Sequence, residues 1–151
     1  MIEGVKIKKL RVIPDERGFL MEILRNDDPM FETFGQVYMT TAYPGVVKGW
    51  HYHRDQIDHM TVLHGMAKIV LYDMRDDSPT HGQIQELFIG ERNRILVRIP
   101  TQVAHGMKAI GTEPAFMLNV PNKVYEYESP DEFRIPPHSG DIPYDWSRKD
   151  G

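Results

Sequence analysis

Three histidines and one aspartate are spaced in a way that could build one chemical site. His51 and His53 occupy alternate positions of a short apolar run, Asp58 lies five residues beyond His53, and His105 follows later, after Pro100. Side chains two apart on a β-strand point to the same face, so we expect His51 and His53 to project together. Imidazoles that converge in one pocket serve to bind a metal, to transfer a proton or to hold an anion.

The elements that would position these residues are short β-strands. Runs rich in β-branched, aromatic, Leu and Met residues are bounded by turn formers and punctuated by glycine, which is typical of an antiparallel sandwich or barrel. The predicted strands cover residues 5–10, 19–24, 36–41, 66–73, 84–89, 95–99 and 116–120. A short helix is predicted only at 28–34, with Asp27 or Asp28 as its N-cap and Pro29 in its first turn.

Length and composition narrow the class of protein. The 151 residues predict a single domain, with a barrel at about 15–127 and a Pro-rich, charged tail at 128–151 that lies over the barrel or across a partner. A net charge of −4 argues against binding of nucleic acid through bulk charge, and the absence of cysteine excludes a disulfide, a thiolate ligand and a cysteine nucleophile. No run approaches the roughly 20 apolar residues of a membrane helix, and the charged first residues are not followed by the apolar block of a secretory signal. We therefore expect a cytoplasmic protein that does not bind membranes.

The histidine spacing fits the two-part sequence pattern of the cupin superfamily. The first part is satisfied, with Asp in place of the usual Glu, at Gly45, His51, His53, Asp58 and Gly65. The second part, Pro-x-Gly-x-x-His, is matched by Pro100 and His105, although Gln102 replaces its glycine. The three histidines and Asp58 together would suit Zn, Mn, Ni or Fe, all of which accept imidazole and carboxylate ligands.

Four longer segments carry a resemblance to one enzyme family. They are residues 15–22, 45–51, 71–82 and 99–106, and they include a Ser-Pro-Thr-x-Gly piece and an Ala-His-Gly piece. On these segments the chain resembles the dTDP-4-dehydrorhamnose 3,5-epimerase family, a metal-free branch of the cupins. The resemblance implies a cupin-type antiparallel β-barrel, that is, a jelly roll or double-stranded β-helix, and a homodimer with no cofactor. The implied substrate is a nucleotide-linked 4-keto-6-deoxy sugar, deprotonated and reprotonated at carbon 3, carbon 5 or both, or isomerised in a related way.

The same resemblance implies roles for individual residues. His51 matches the general base, Tyr125 or in its place Tyr127 matches the acid that returns the proton, and Asp150 matches the carboxylate that orients the base. Substrate-binding positions of the family match Arg17, Glu22, Gln36, Lys48 and His105. In the family dimer an N-terminal strand joins the neighbour's sheet, and the alternation at 5–10 suits such a strand.

Three departures from the family pattern keep other functions open. Asp58 stands where the family has a lysine that holds the enolate oxygen, His53 replaces a glutamine, and Lys48 replaces an arginine and so loses bidentate phosphate recognition. A carboxylate cannot stabilise an oxyanion unless it is protonated or holds a cation. A divalent metal on His51, His53, Asp58 and His105 could therefore polarise the ketone in the lysine's place. The alternatives are a metal-dependent cupin, such as an oxygenase or small-sugar isomerase, and a non-catalytic sugar- or metal-binding cupin.

Overall fold

The molecule is built from antiparallel β-strands. The computed structural model describes residues 1–150, and in this range it contains twelve strands and no α-helix. The strands are β1 (Lys6–Lys9), β2 (Val12–Asp15), β3 (Gly18–Met21), β4 (Tyr38–Ala42), β5 (Val47–Tyr52), β6 (Asp58–His64), β7 (Met66–Asp73), β8 (Ile84–Gly90), β9 (Ile95–Ile99), β10 (Val103–Ala109), β11 (Ala115–Asn119) and β12 (Phe133–Arg134). The predicted antiparallel all-β fold is confirmed.

Two five-stranded sheets face each other and enclose the core. The strand order is β1-β9-β6-β11-β4 in the first sheet and β12-β5-β10-β7-β8 in the second, while β2 and β3 form a separate hairpin. Inward-facing residues of both sheets, such as Met60, Ile69, Val97 and Met117, form one buried cluster. Burial of this apolar surface is the main force that holds the two sheets together.

The C-terminal segment covers the outer face of the second sheet. Trp50, Val70 and Ala104 point away from the main core and are buried by Ile142 and Trp146 of that segment. The Lys108 ammonium donates a hydrogen bond to the Trp146 carbonyl oxygen at 2.6 Å. The strands β5, β7 and β10 are therefore packed on both faces.

One local prediction is wrong. Residues 28–34 form a bend and a turn at 28–30 followed by irregular chain, instead of a helix. The Asp28 carboxylate accepts from the Arg25 amide at 2.8 Å and from the Lys8 ammonium at 2.5 Å, so it does not cap the amides that follow it. The N-terminal strand β1 pairs with β9 of its own chain and forms one edge of the first sheet, and its pairing with a neighbour's sheet stays a prediction. No helix in residues 1–150 is long and apolar enough to cross a membrane.

Candidate active site

A cavity of about 730 Å³ opens between the two sheets. Its walls come from β4, β5, β6, β7, β10 and β11 and from the segments that follow β11 and β12. The volume lies in the range of sites that bind small organic molecules. All three histidines of the sequence pattern line this cavity, which is therefore the candidate active site.

The strand pairing of β5 and β10 brings the three histidines together. His51 is the direct cross-strand partner of His105, and their ring centroids are 4.7 Å apart. His53 follows the end of β5 on the same face, with its ring centroid 5.6 Å from that of His105. The predicted common face of His51 and His53 is confirmed, because Trp50 and Tyr52, which alternate with them, pack on the opposite side of the sheet.

Asp58 reaches the histidines from the opposing sheet. It is the first residue of β6 and is 1% exposed. Its Oδ1 atom accepts hydrogen bonds from Gln56 Nε2 at 2.8 Å and from Asn119 Nδ2 at 2.9 Å. Its Oδ2 atom lies 3.1 Å from His53 Nε2 and 3.3 Å from His105 Nε2. Four of the sequence-predicted residues thus meet in one place.

Burial and neighbouring charges shift the pKa values of these groups in different directions. Burial, together with the neighbouring His105, lowers the pKa of His51 to about 3, which leaves a neutral imidazole at pH 7. Burial alone would lower the pKa of His53, but the hydrogen bond and the negative charge of Asp58 outweigh it and raise that pKa. Burial alone would raise the pKa of Asp58, but the histidines beside it hold that pKa far below its usual range. At neutral pH the cluster therefore contains an ionised carboxylate beside an unprotonated His51.

A tyrosine that the sequence analysis missed faces the same cavity. Tyr38 on β4 is the cross-strand partner of Asn119, whose Nδ2 donates to the Tyr38 hydroxyl oxygen at 2.9 Å. The residue is 40% exposed, but this bond holds its hydroxyl against a fully buried amide. Burial and then the charge of Asp58 raise the pKa of Tyr38 to about 12, so the phenol keeps its proton. The signal in the sequence was the alternation of Gln36, Tyr38 and Thr40, which places Tyr38 and Thr40 on the cavity side of β4 and Gln36 on the same side just before it.

The loop between β5 and β6 is fixed by a second residue that the sequence analysis missed. The Asp131 carboxylate accepts from the backbone amides of Arg54, Asp55 and Gln56 at 2.8, 2.8 and 2.9 Å. The Asp131 carbonyl oxygen faces Nδ1 of His53. Since the tail residue Asp131 lies 75 or more positions away in sequence, no local pattern could reveal this contact.

Other predicted residues lie at the mouth of the cavity. Gln36, Lys48, Tyr125 and Tyr127 line it, and Arg134 adds a second basic side chain. The Lys48 ammonium donates to Thr40 Oγ1 at 2.9 Å. The Tyr125 amide lies 3.3 Å from Gln36 Oε1, whereas Tyr127 is 89% exposed.

Three predicted residues lie away from this cavity. Arg17 is paired with Asp15 in the β2–β3 hairpin, and its side chain is 84% exposed. Glu22 is exposed and pairs with Arg25. Asp150 pairs with Arg148 at 3.3 Å and its side chain is 86% exposed. The structure of residues 1–150 does not bring these three side chains to the histidine cluster of the same chain.

The cluster has the donor set of a metal site. One ligand atom each from His53, Asp58 and His105 lies within 4.8 Å of the others. Asp58 Oδ2 and His105 Nε2 are buried, and Asp58 Oδ2 lies within 3.3 Å of both His53 Nε2 and His105 Nε2. Two chemistries therefore fit the geometry, namely proton transfer at His51 and cation binding at the cluster beside it.

Comparison with known proteins identifies the family. A family profile described as dTDP-4-dehydrorhamnose 3,5-epimerase matches residues 1–151. The chain is 44% identical to the probable low-salt glycan biosynthesis epimerase Agl13 of Haloferax volcanii, over 97% of this chain and 95% of that protein. It is 42% identical to the spore coat polysaccharide biosynthesis protein SpsL of Bacillus subtilis, over 97% of each. A crystal structure of a dTDP sugar isomerase from Desulfovibrio desulfuricans superposes with a TM-score of 0.92 at 35% identity, covering 99% of this chain and 94% of that one. The chain therefore belongs to the dTDP-4-dehydrorhamnose 3,5-epimerase family.

Proposed function

We propose that the protein is an epimerase of nucleotide-linked 4-keto-6-deoxy sugars, which removes and returns a proton at a carbon next to the ketone. The observation that carries this proposal is the position of His51, a neutral buried imidazole on one sheet that faces a cavity also lined by Tyr38 and Tyr125. Family membership supports the same reaction class.

His51 is the proposed general base. In the forward step the C–H bond next to the ketone breaks, its proton moves to the imidazole, and the electron pair moves onto the ketone oxygen to give an enolate. His51 is unprotonated at neutral pH, which is the form that accepts a proton, and its lowered pKa makes it a weaker base than a free imidazole. The β5–β10 pairing fixes its ring against His105, which limits the motion that would misplace it.

Two tyrosines meet the requirement for an acid on the opposite face of the sugar. Tyr125 is the residue that matches the family's acid, and it lines the cavity mouth. Tyr38 is the better fixed of the two, because its oxygen already accepts from Asn119 and its own proton remains available for the substrate carbon.

The basic side chains suit the diphosphate of a nucleotide sugar. Lys48 and Arg134 both line the cavity on the side of the second sheet. Charge-assisted hydrogen bonds from ammonium and guanidinium groups are the usual means of binding phosphate oxygens. Arg17 and Glu22 do not reach this cavity, so their proposed contacts to substrate require a neighbouring chain.

A homodimer would supply that neighbouring chain. Apolar side chains are exposed on the outer face of β4 and on the β2–β3 hairpin, including Val37, Met39, Phe19 and Leu20. Large exposed apolar patches mark interaction sites on soluble proteins. The hairpin that carries Arg17 is the segment best placed to extend into a partner.

The test is proton exchange in deuterium oxide with dTDP-4-keto-6-deoxyglucose. The wild-type protein should place deuterium at carbon 3 or carbon 5, and His51→Gln should reduce the rate by roughly 10²–10⁴-fold. Loss of the acid should leave exchange on the original face but abolish inversion. Tyr38→Phe and Tyr125→Phe therefore identify the acid when exchange and stereochemistry are both followed by NMR. Absence of exchange by the wild-type protein, with or without a divalent metal, would refute the epimerase proposal.

A further inference from the structure

We propose that Asn119 is a positioning residue, which turns the hydroxyl proton of Tyr38 toward the substrate and makes Tyr38 the acid that returns the proton. This inference rests on the proposed function, because it names the groups that complete the same reaction. It is based on a hydrogen-bond network in the wall of the cavity, in which every polar atom of the Asn119 side chain has a partner.

The orientation of the Asn119 side chain is fixed by the first sheet. Asn119 is the last residue of β11, pairs with Tyr38 of β4 on one side and with Met60 of β6 on the other, and is fully buried. Its Oδ1 atom accepts from the backbone amide of His59 at 3.1 Å. A backbone amide only donates, so this contact distinguishes the oxygen from the nitrogen of the side-chain amide. The amide group therefore cannot turn over without loss of a buried hydrogen bond.

The two protons of the Asn119 amide go to two different acceptors. Nδ2 lies 2.9 Å from Asp58 Oδ1 and 2.9 Å from the Tyr38 hydroxyl oxygen. The ionised Asp58 carboxylate can only accept, so it takes one proton and leaves the other for Tyr38. Gln56 Nε2 donates to the same carboxylate oxygen at 2.8 Å and holds the acceptor in place. Asp58 thus acts on Tyr38 through Asn119.

This network determines where the Tyr38 proton points. A phenol oxygen that accepts from an amide directs its own O–H bond away from that amide. Tyr38 lines the cavity from the first sheet, whereas His51 lines it from the second. Inversion of a carbon requires removal of the proton on one face and its return on the other, which a base and an acid on opposite sheets can perform.

The same amide stabilises the acid after it has reacted. When Tyr38 protonates the enolate, its O–H bond breaks, the electron pair of the enolate forms the new C–H bond, and the ketone is restored. The Tyr38 oxygen keeps the electron pair of the broken bond as a phenolate, which accepts a charge-assisted hydrogen bond from Asn119. Tyr38 is 40% exposed, so solvent can return its proton and take up the proton that His51 removed.

Tyr125, the other candidate acid, is held less closely. Its backbone amide donates to Gln36 Oε1 at 3.3 Å, and its ring meets the edge of the exposed Tyr127 ring with the centroids 5.2 Å apart. These contacts place the ring of Tyr125 but do not direct its hydroxyl. The structure therefore favours Tyr38 as the acid.

The test follows proton exchange and inversion together by NMR in deuterium oxide, with dTDP-4-keto-6-deoxyglucose as the substrate. Asn119→Leu should slow inversion about 10²-fold, which is the effect of misplacing a reacting group by about 1 Å. Exchange on the face of His51 should stay close to the wild-type rate, because His51 removes the proton without help from Asn119. A general loss of structure would lower both rates by the same factor, so the ratio of the two rates separates positioning from folding.

Asn119→Asp keeps the test valid if Asn119→Leu does not fold. The new carboxylate has the same shape and still accepts from the His59 amide, but Tyr38 would now donate to it and turn its proton away from the substrate. Inversion should again fall while exchange is retained. The matched control is Asn93→Asp, because the Asn93 amide donates to the Phe88 carbonyl oxygen at the exposed surface, and this variant should keep both rates. Circular dichroism of each variant checks that it is folded.

A double-mutant cycle connects the effect to Tyr38. Tyr38→Phe should slow inversion at least as much as Asn119→Leu, and the double variant should be no slower than Tyr38→Phe alone. Tyr43→Phe, at a position that is 74% exposed, is the control for loss of a hydroxyl. Unchanged inversion in Tyr38→Phe or in a folded Asn119 variant overturns the proposal, and so do equal losses of exchange and inversion or factors that multiply in the double variant. A wild-type protein that exchanges no substrate proton would instead refute the proposed function, and this role with it.

Discussion

The close approach of β5 and β10 allows a direct test of what fixes the spacing between His51 and His105. Gly49 on β5 faces Gly106 on β10, and Trp146 packs over both strands. A Cβ atom added at Gly49 would lie 2.8 Å from the Cα atom of Gly106. The obstruction is backbone, so no side chain can rotate out of the way.

The magnitude of the effect of Gly49→Ala follows from that distance. Ordinary contacts begin at 3.4 Å, so the strands must separate or slide by about 0.6 Å, the difference between 3.4 and 2.8 Å. Overpacking of a well-packed core usually costs about 1–3 kcal/mol. The same displacement moves His51 relative to His105, and misplacement by about 1 Å can lower a reaction rate roughly 10²-fold. We therefore expect lower stability and slower proton exchange together.

Urea unfolding followed by tryptophan fluorescence measures this effect directly. Both tryptophans of the chain, Trp50 and Trp146, lie in the cluster next to Gly49, so the signal reports the affected region. Equal protein concentrations are needed, because self-association would add to the apparent stability. Val46→Ala, at an exposed position just before β5, is the control and should change the unfolding free energy by less than about 0.5 kcal/mol. A change for Gly49→Ala as small as that of the control would show that the glycine pair does not set the strand spacing.

Three further predictions test other parts of the structure. Trp146→Ala should lower the unfolding free energy by about 3–5 kcal/mol, since it empties the cluster behind β5 and β10, and an unchanged urea midpoint would contradict this packing role. Burial alone would raise the pKa of Asp73, but hydrogen bonds from Arg75, Ser78 and other groups lower it, so the carboxylate stabilises the fold above its unfolded pKa of about 4. The stability difference between wild type and Asp73→Asn should be constant near neutral pH and shrink as pH falls below about 4, and a difference that grows with acid would refute this sign. Met39→Glu, on the exposed outer face of β4, should convert the proposed dimer to a monomer in light scattering, whereas a dimer that persists would place the interface elsewhere.

Much of the sheet structure could be predicted from local patterns. The strands at 66–73 and 95–99 were predicted with their observed bounds, because they are buried apolar runs between clear turn formers. β6 was missed because its sequence begins Asp-His and contains a buried threonine, so it lacks the apolar composition of a buried strand. The very residues that break the pattern, Asp58 above all, belong to the site.

The histidine cluster could be predicted from the sequence, but the residues that hold it in place could not. Spacing along one strand showed that His51 and His53 share a face, and the later Pro-x-x-x-x-His segment pointed to His105. Tyr38, Asn119 and Asp131 reach the site through pairing between distant segments, which a single sequence does not reveal. Asp150 lies away from the cluster of its own chain and pairs with Arg148, so its role as the carboxylate that orients the base stays a prediction.

The packing of Trp146 behind the histidine strands has a consequence for how the protein is made. The last residue of β10 is Ala109, so 37 more residues (146 − 109) must be synthesised before Trp146 emerges to cover β5 and β10. At about 5–20 residues per second, this delay is roughly 2–7 s. During that time the apolar outer faces of both strands remain exposed to water, to chaperones and to other nascent chains. Synonymous codons that slow translation between residues 110 and 146 should therefore increase aggregation of newly made protein more than the same codons placed after residue 146.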